Sequence, residues 1–405
     1  MANALLTSKV VTRETLRVFH QKATFIGSIN RKYDDKFSET GAKIGDTLNI
    51  RVPNRFKSYV GLDQTNNFQD TTETSVALQV GTLRSVPMKF TDLDLSLSLD
   101  DFSDRIIKPA MTQLAADVEN DVLSTVYADV YNQVGTAGTV PSTLRVLNQA
   151  RAAMTNGLAP YDERAVLLNP DAQVEIVDNV KGLFQDSAAI KGQYRDGLLG
   201  RTAGFGNIYE HTLVPTHTNG SATGAHTVTT TVATEGANTI NITGSGTQTL
   251  KRGTVFTIAG RYAVHPESKA ITPRLQQFVV TADATAVGGA YTNVAIAPAM
   301  SASALNPRQN IASMPSAGDV INLVGAAGVG YAQNLAYHKD AFTFATADLS
   351  NPKGSAAFAA VEQMDGISMR VWKDWDIKSG VQFSRVDILY GFKTIRPEAA
   401  VRITA

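Results

Sequence analysis

The sequence predicts an α+β chain interrupted by an inserted all-β module, and three observations carry that prediction. Charge is uneven: Thr218 to Leu335 holds 10 charged residues in 118, against 64 in the other 287, which marks a composition boundary at each end of that stretch. Inside it, short β-branched runs alternate with turn residues. Outside it, charged strand patterns stand on both sides, and neither flank supplies a complete sheet, so the two must combine.

Taken in chain order, the N-terminal stretch MANALLTSKVVTRETLRVF is interrupted by Lys9, Arg13, Glu14 and Arg17 before any signal-like apolar run develops. It reads instead as a helix with Leu16, Phe19 and Ala23 on one face and Arg13, Arg17, Lys22, Arg31 and Lys32 on another, either a solvated face or an arm that docks on a partner. Two extended runs, DTLNIRVP (46–53) and TSVALQVGTLRSVPMKF (74–90), enclose the polar stretch 59–73, as in a protruding hairpin. A long helix follows: Leu114, Val118 and Val122 recur at four-residue spacing, which predicts helix from Ala110 to Tyr131 with Pro109 in its first turn or at a kink. Ser142 is a candidate N-cap for a helix through Met154, AVLLNP (165–170) a buried strand and DAQVEIVDNV (171–180) a further helix.

In the module, 226–233, 238–244, 254–260, 276–282 and 292–298 are strand candidates. The run KRGTVFTIAGRYAVHPESK (251–269) is the clearest, punctuated by Gly253 and Gly260 and closed by Pro266. Beyond the module, 334–346, 367–376 and 383–403 return to charged strand patterns.

The residues exclude more chemistry than they suggest. Lys plus Arg and Asp plus Glu both total 37, so no global field holds nucleic acid or an anionic membrane, and no run approaches the ~20 apolar residues of a membrane helix. There is no cysteine, hence no disulfide, thiolate metal site or thiol nucleophile. The six histidines form no zinc-like spacing, so no metal, cofactor or catalytic residue is expected. GAAGVG (325–330) lacks the glycine order of a dinucleotide loop and reads as a connection. Asp117, Glu119 and Asp121 read as a solvated helix face. Trp372 and Trp375 fall on opposite faces of a strand and so make no shared stacking platform.

The order of helical arm, hairpin, long helix, α/β core, inserted module and C-terminal strands resembles the major capsid proteins of tailed bacteriophages. KIGDTLNIRVPNRF (43–56), LAADVENDVLSTVY, GQYRDGLLGRTAGFGNIYEHTLVPTHTNG (192–220), KRGTVFTIAGRYAVHPESK with QQFVVTA, NLAYHKDAF and DILYGFKTIRPEAAVRI are similar to coat proteins of short-tailed Salmonella-type phages. The resemblance implies the Johnson fold (Hong Kong 97 type). On that fold residues 1–40 are an N-arm, 41–92 an extended E-loop and 93–138 a peripheral domain with the spine helix. Residues 139–217 and 336–405 form the axial domain with the C-terminal strands, and 218–335 a barrel-like insertion.

It further implies self-assembly into hexamers and pentamers of a shell, a procapsid built around a scaffolding protein with a portal at one vertex, and expansion as double-stranded DNA enters. Seven is the expected triangulation number, and assembly is expected in the host cytoplasm. Charged arm residues Arg13, Glu14, Arg17 and Lys22 are the scaffold or subunit docking candidates by position, and Leu62, Asp63, Phe68 and Asp70 the candidates for contact at the E-loop tip. Two other classes stand beside this one: a tail or surface adhesin with a β recognition module, and an enzyme with an inserted lid, for which no convergent titratable group is found.

Overall fold

Residues 8–31, 47–62, 65, 68–69, 74–91, 107–180, 202–349, 358–376 and 381–405 are described by the computed structural model. They fall into two units, each built from separated stretches of chain. The first comprises Met1–Ile50, Ser75–Val122 and Phe342–Ile395, the second Arg51–Thr74, Leu123–Ala341 and Arg396–Ala405.

In the first unit the amphipathic N-terminal segment forms α1 (Ser8–Lys22), with Leu16, Val18 and Phe19 buried, followed by the single turn α2 (Thr24–Ser28). The four-residue spacing forms α3 (Lys108–Val126), with Leu114, Val118 and Val122 fully buried. It ends five residues before the expected Tyr131, because the chain tightens into a 3-10 turn at Tyr127–Asp129 and then extends at Val130. The solvated-face reading of the helix carboxylates holds only for Asp117. Glu119 is 2% exposed and accepts hydrogen bonds from the backbone N–H groups of Phe25 (2.7 Å) and Ile26 (3.2 Å), which α2 leaves unpaired at its start. Asp121 accepts one from the Tyr390 hydroxyl at 2.6 Å.

The sheet of this unit joins both ends of the sequence. Thr82–Thr91 pairs antiparallel with Val381–Thr394, which also pairs with Ile367–Asp376 and Phe342–Thr346. The single extended run expected over 74–90 is two strands, Thr74–Gln79 and Thr82–Thr91; Thr74–Gln79 turns away to pair with Thr47–Val52.

In the second unit the order of strands is Gln133–Val134, Ala400–Thr404, Gly330–His338, Arg164–Leu168 and Asn207–Glu210. Leu335 lies opposite Leu167, so a strand after the module completes a sheet begun before it. Helix α4 (Leu144–Asn156), capped at Thr143 rather than Ser142, buries Leu147, Ala150 and Met154, and α5 (Pro170–Val180) follows the buried Arg164–Leu168 strand. The inserted module is a six-stranded antiparallel sheet in the order His226–Thr227, Val320–Leu323, Val255–Val264, Ile271–Val280, Ala290–Met300 and Ala237–Thr243. Its two edges meet through the Val228 to Ile242 bridge, so it closes as a barrel around Phe256, Ile258, Phe278, Tyr291, Val294 and Ile240. Phe256 and Phe278 are cross-strand partners, stacked 5.7 Å apart. The run 226–233 contributes only a two-residue strand: past Val228 the Thr229 N–H crosses to the Asn241 carbonyl of the other edge strand, and the Val232 N–H goes to the Pro315 carbonyl in a loop.

A buried joint fastens the barrel to the core sheet. Gly253 opens the barrel strand in the left-handed region (φ 93°), where an added Cβ would lie 3.2 Å from the His217 ring. Its carbonyl accepts a hydrogen bond from Nη1 of Arg402, a residue of the last strand, at 2.8 Å. Arg402 is 1% exposed and packs over the Tyr127 ring at 5.9 Å, and burial lowers its guanidinium to about 10. Tyr127 Oη meets His217 Nδ1 at 3.2 Å. Beside these, Arg252 donates to Asp129 at 2.7 Å, and the amides of Gln133 and Gln277 bond reciprocally at 2.8 and 2.9 Å.

Two outcomes are expected of this joint. Arg402→Ala, which opens a cavity and removes the latch, lowers stability by about 3 kcal/mol in denaturant unfolding, whereas Arg402→Met, which keeps the volume and removes a desolvated charge, costs less. Burial, with Arg402 adding repulsion, pushes the His217 imidazole from 6.5 down to about 4, and burial lowers His338 in the same direction. The unfolded chain therefore binds more protons between those values, so the stabilisation is complete above about pH 6.5 and is lost as pH falls toward 4. Melting temperatures measured from pH 7.5 to 4.5 should fall less steeply in His217→Gln than in the unaltered chain.

Candidate functional site: assembly surfaces

Among the described residues no three His, Asp or Glu side chains gather as a metal site, and no helix is long and apolar enough to cross a membrane. The three histidines that lie close in sequence point to separate partners: His211 Nδ1 accepts from the Leu213 N–H, His217 meets Tyr127, and His226 Nδ1 meets the Thr243 carbonyl. The glycine-rich 325–330 stretch leads into the Gly330–His338 strand, and its carbonyls at Val324 and Ala326 accept from Asn219. Trp372 is packed beside the guanidinium groups of Arg370 and Arg385, 4.4 and 5.4 Å from its ring. The Trp375 side chain lies outside the described residues. What the chain displays is surfaces.

The first is α1. Its apolar face lies on the strands Phe358–Met364 and Ile367–Asp376, which leaves the opposite face to solvent. Arg13 reaches Glu362 at 3.4 Å, and Glu14 and Arg17 pair with each other at 2.5 Å, one turn apart. Lys22 is exposed at the helix end, where a cation suits the terminal carbonyls. The four arm candidates thus share one helix and its exposed side, with Arg13 drawn toward the sheet.

The second surface is the hairpin 51–74 of the second unit. The Gln69 side chain bridges its limbs, accepting from the Lys57 N–H (2.8 Å) and donating to the Lys57 carbonyl (2.7 Å). Beyond that clamp the hairpin turns apolar groups outward, with Phe68 87% exposed and Val60 and Leu62 fully, and just before it Phe56 is 59% exposed. Leu62 and Phe68 therefore stand where the sequence placed the tip, while Asp63 and Asp70 lie outside the described residues. Exposed apolar side chains gathered on one hairpin mark an interaction surface.

The hairpin base and the loop Leu305–Arg308 enclose a cleft of about 440 Å³, lined also by Asn54, Arg55, Tyr59, Gln69 and Thr74. Arg308 donates to Thr74 Oγ1 at 2.5 Å and Lys57 Nζ to the Ala304 carbonyl. Lys269, bound to the carbonyls of Pro266 and Pro307, has its ammonium lowered by burial first and then by Arg55 and Lys57. Nothing local in the sequence marks this cluster: residues 55, 57, 269 and 308 meet only through folding.

Comparison with known proteins bears on which assembly these surfaces serve. A family model described as P22 coat protein, gene protein 5, matches residues 1–404. No curated protein matches the chain. Among solved structures it is similar to a chain from Mycobacterium phage Che8, at 14% identity over 94% of this chain and 90% of that one, with a TM-score of 0.44. It is also similar to the capsid of Ralstonia phage GP4, at 8% identity over 91% and 85%, with a TM-score of 0.46. The CUS-3 coat protein I-domain matches at 24% identity over 26% of this chain and 99% of that one, with a TM-score of 0.20. At such scores the assignment rests on the family match. That match runs from the exposed helix at one end to the strand carrying Arg402 at the other, and by it the chain belongs to the P22 coat protein family.

Proposed function

We propose that this coat protein builds the icosahedral head of a tailed phage as a scaffolded procapsid that expands while double-stranded DNA enters. Membership of the family makes it a structural protein of the virion capsid with the Johnson fold and its inserted all-β domain, and implies self-assembly into the shell. The finer reading adds a portal at one vertex, hexamers and pentamers at a triangulation number of seven, and assembly in the host cytoplasm. In it 1–40 acts as N-arm, 41–92 as E-loop, 93–138 as peripheral domain, 139–217 with 336–405 as axial domain, and 218–335 as the insertion.

The observation that carries this reading is the hairpin 51–74. An isolated subunit gains nothing from holding Val60, Leu62 and Phe68 in water, whereas a shell subunit buries them against a neighbour and enlarges its contact without enlarging its core. The balanced charge of 37 against 37 also suits a wall that must not hold packaged DNA tightly. On this reading Arg13, Glu14, Arg17 and Lys22 face the scaffold, and Leu62, Asp63, Phe68 and Asp70 meet the adjacent subunit. A match over 1–404, rather than over the β module alone, speaks against an adhesin.

Electron microscopy of the chain expressed with and without its scaffolding protein tests the reading: closed icosahedral shells support it, and small discrete oligomers under both conditions refute it. Within such shells, replacing Leu62 and Phe68 together by Ser should leave the melting of the unassembled subunit unchanged. It should weaken the shell by about 2 kcal/mol or more per subunit, read as a lower urea midpoint for shell dissociation. Equally stable shells would remove the hairpin tip from the contact.

A further inference from the structure

Among the described residues the cleft at the hairpin base gathers positive charge. Arg55 lines it from the hairpin and Arg308 from its far wall, while Lys57 and Lys269 bind carbonyls of that wall loop, at Ala304 and Pro307. The hydrogen bonds of Lys57, Lys269 and Arg308 go to carbonyls and one hydroxyl, which orient a cation without neutralising it. Arg55 meets a carboxylate, Glu398, at 3.5 Å, and Arg396 shares that carboxylate at the same distance. The side-chain oxygen of Asn54, which also lines the cleft, is buried without a hydrogen-bond partner. Four cations have thus been gathered in a chain whose formal net charge is zero, and their mutual repulsion is a cost that an incoming anion would relieve. Tyr59 and Leu305, the latter 79% exposed, add an apolar patch at the rim.

The same unit carries a surface of the opposite kind. Helix α5 exposes Asp171, Val174 and Glu175, at spacings of three and four residues, which set them along one face about 6 Å long. The helix contains no basic residue, and Val174, 66% exposed, sits among its carboxylates. Acidic groups around an apolar residue complement cations around an apolar rim.

We propose that the cleft lined by Arg55 and Arg308, with Lys57 and Lys269 bound to its wall loop, receives the acidic face of helix α5 from a second copy of this chain, with Val174 against Tyr59 and Leu305. Donor and acceptor surfaces are different parts of one subunit, so the contact is head to tail and passes from each copy to the next, as a closed ring of subunits requires. The inference rests on the shell-forming role proposed above. Arginine suits it because its planar fork takes a carboxylate bidentately.

Charge reversal in the full chain tests it, with assembly followed by light scattering and shells counted by microscopy. Arg308→Glu and Glu175→Arg, each alone, should raise the concentration needed for assembly about tenfold, while the melting of the unassembled subunit stays within a degree or two. The double variant Arg308→Glu with Glu175→Arg should return to within about twofold of the unaltered chain, which a loss of the Arg308 to Thr74 bond alone cannot produce. Additive defects in the double variant, or single variants that assemble normally, would overturn the proposal. So would a defect of Arg308→Glu that appears only with scaffold or DNA present and is untouched by Glu175→Arg, since the cleft would then serve another partner's anions. Failure of the unaltered chain to form shells at all would instead strike the function proposed above.

Discussion

One buried guanidinium decides how the inserted barrel and the core sheet can be one body. Arg402 lies in the last strand, and its bond to the Gly253 carbonyl ties the final residues of the chain to the first turn of the barrel. A charge in that position forgoes hydration, and it is tolerable because the Tyr127 ring and the Gly253 carbonyl both present negative density. The price is a demanding geometry. Gly253 must adopt a left-handed conformation, His217 must remain neutral beside the arginine, and the Gln133 to Gln277 amide pair must hold the adjoining backbone. The insertion therefore does not hang from a tether, since polar contacts along 252–254 and 277 fix its orientation against the sheet.

That rigidity gives the cleft its meaning. Lys269 and Arg308 belong to barrel loops, and Arg55 and Lys57 to the hairpin, so the cations converge only if barrel and hairpin base keep a defined spacing. A module whose composition is poor in charge spends its few charged residues where they do positional work: Arg252 on Asp129, Arg261 on Asp319, Lys251 on Asp283. The polar Thr, Ser and Asn residues that replace charge elsewhere satisfy barrel edges, as where Thr243 Oγ1 accepts from the Thr227 N–H at 2.7 Å.

The parts legible in the sequence were those set by local period. Leu114, Val118 and Val122 announced α3, Leu16 and Phe19 the buried side of α1, and the β-branched runs the barrel strands, because helix and strand periodicities are properties of neighbouring residues. The incompleteness of both flanks also showed that strands on either side of the module must meet. Distant pairings were hidden. Glu119 and Asp121 looked like a wet helix face because the N–H groups of Phe25 and Ile26 and the hydroxyl of Tyr390 lie remote in sequence. Arg402 stood in a strand pattern with nothing to say it was buried. Of the assembly surfaces, the exposed apolar tip at Leu62 and Phe68 was visible as a polar interval between strands, whereas the cationic cleft, drawn from three separated stretches, was not.

The strand pairings carry a consequence for the order of folding. Residues 381–394 pair with 82–91, and 400–404 lie between 133–134 and 330–338, so each unit takes a central strand from a segment hundreds of residues away from one of its neighbours. Helices can form early from local contacts, but neither sheet closes until those remote segments meet. Folding of the subunit is therefore governed by the slow, long-range step rather than by its helices.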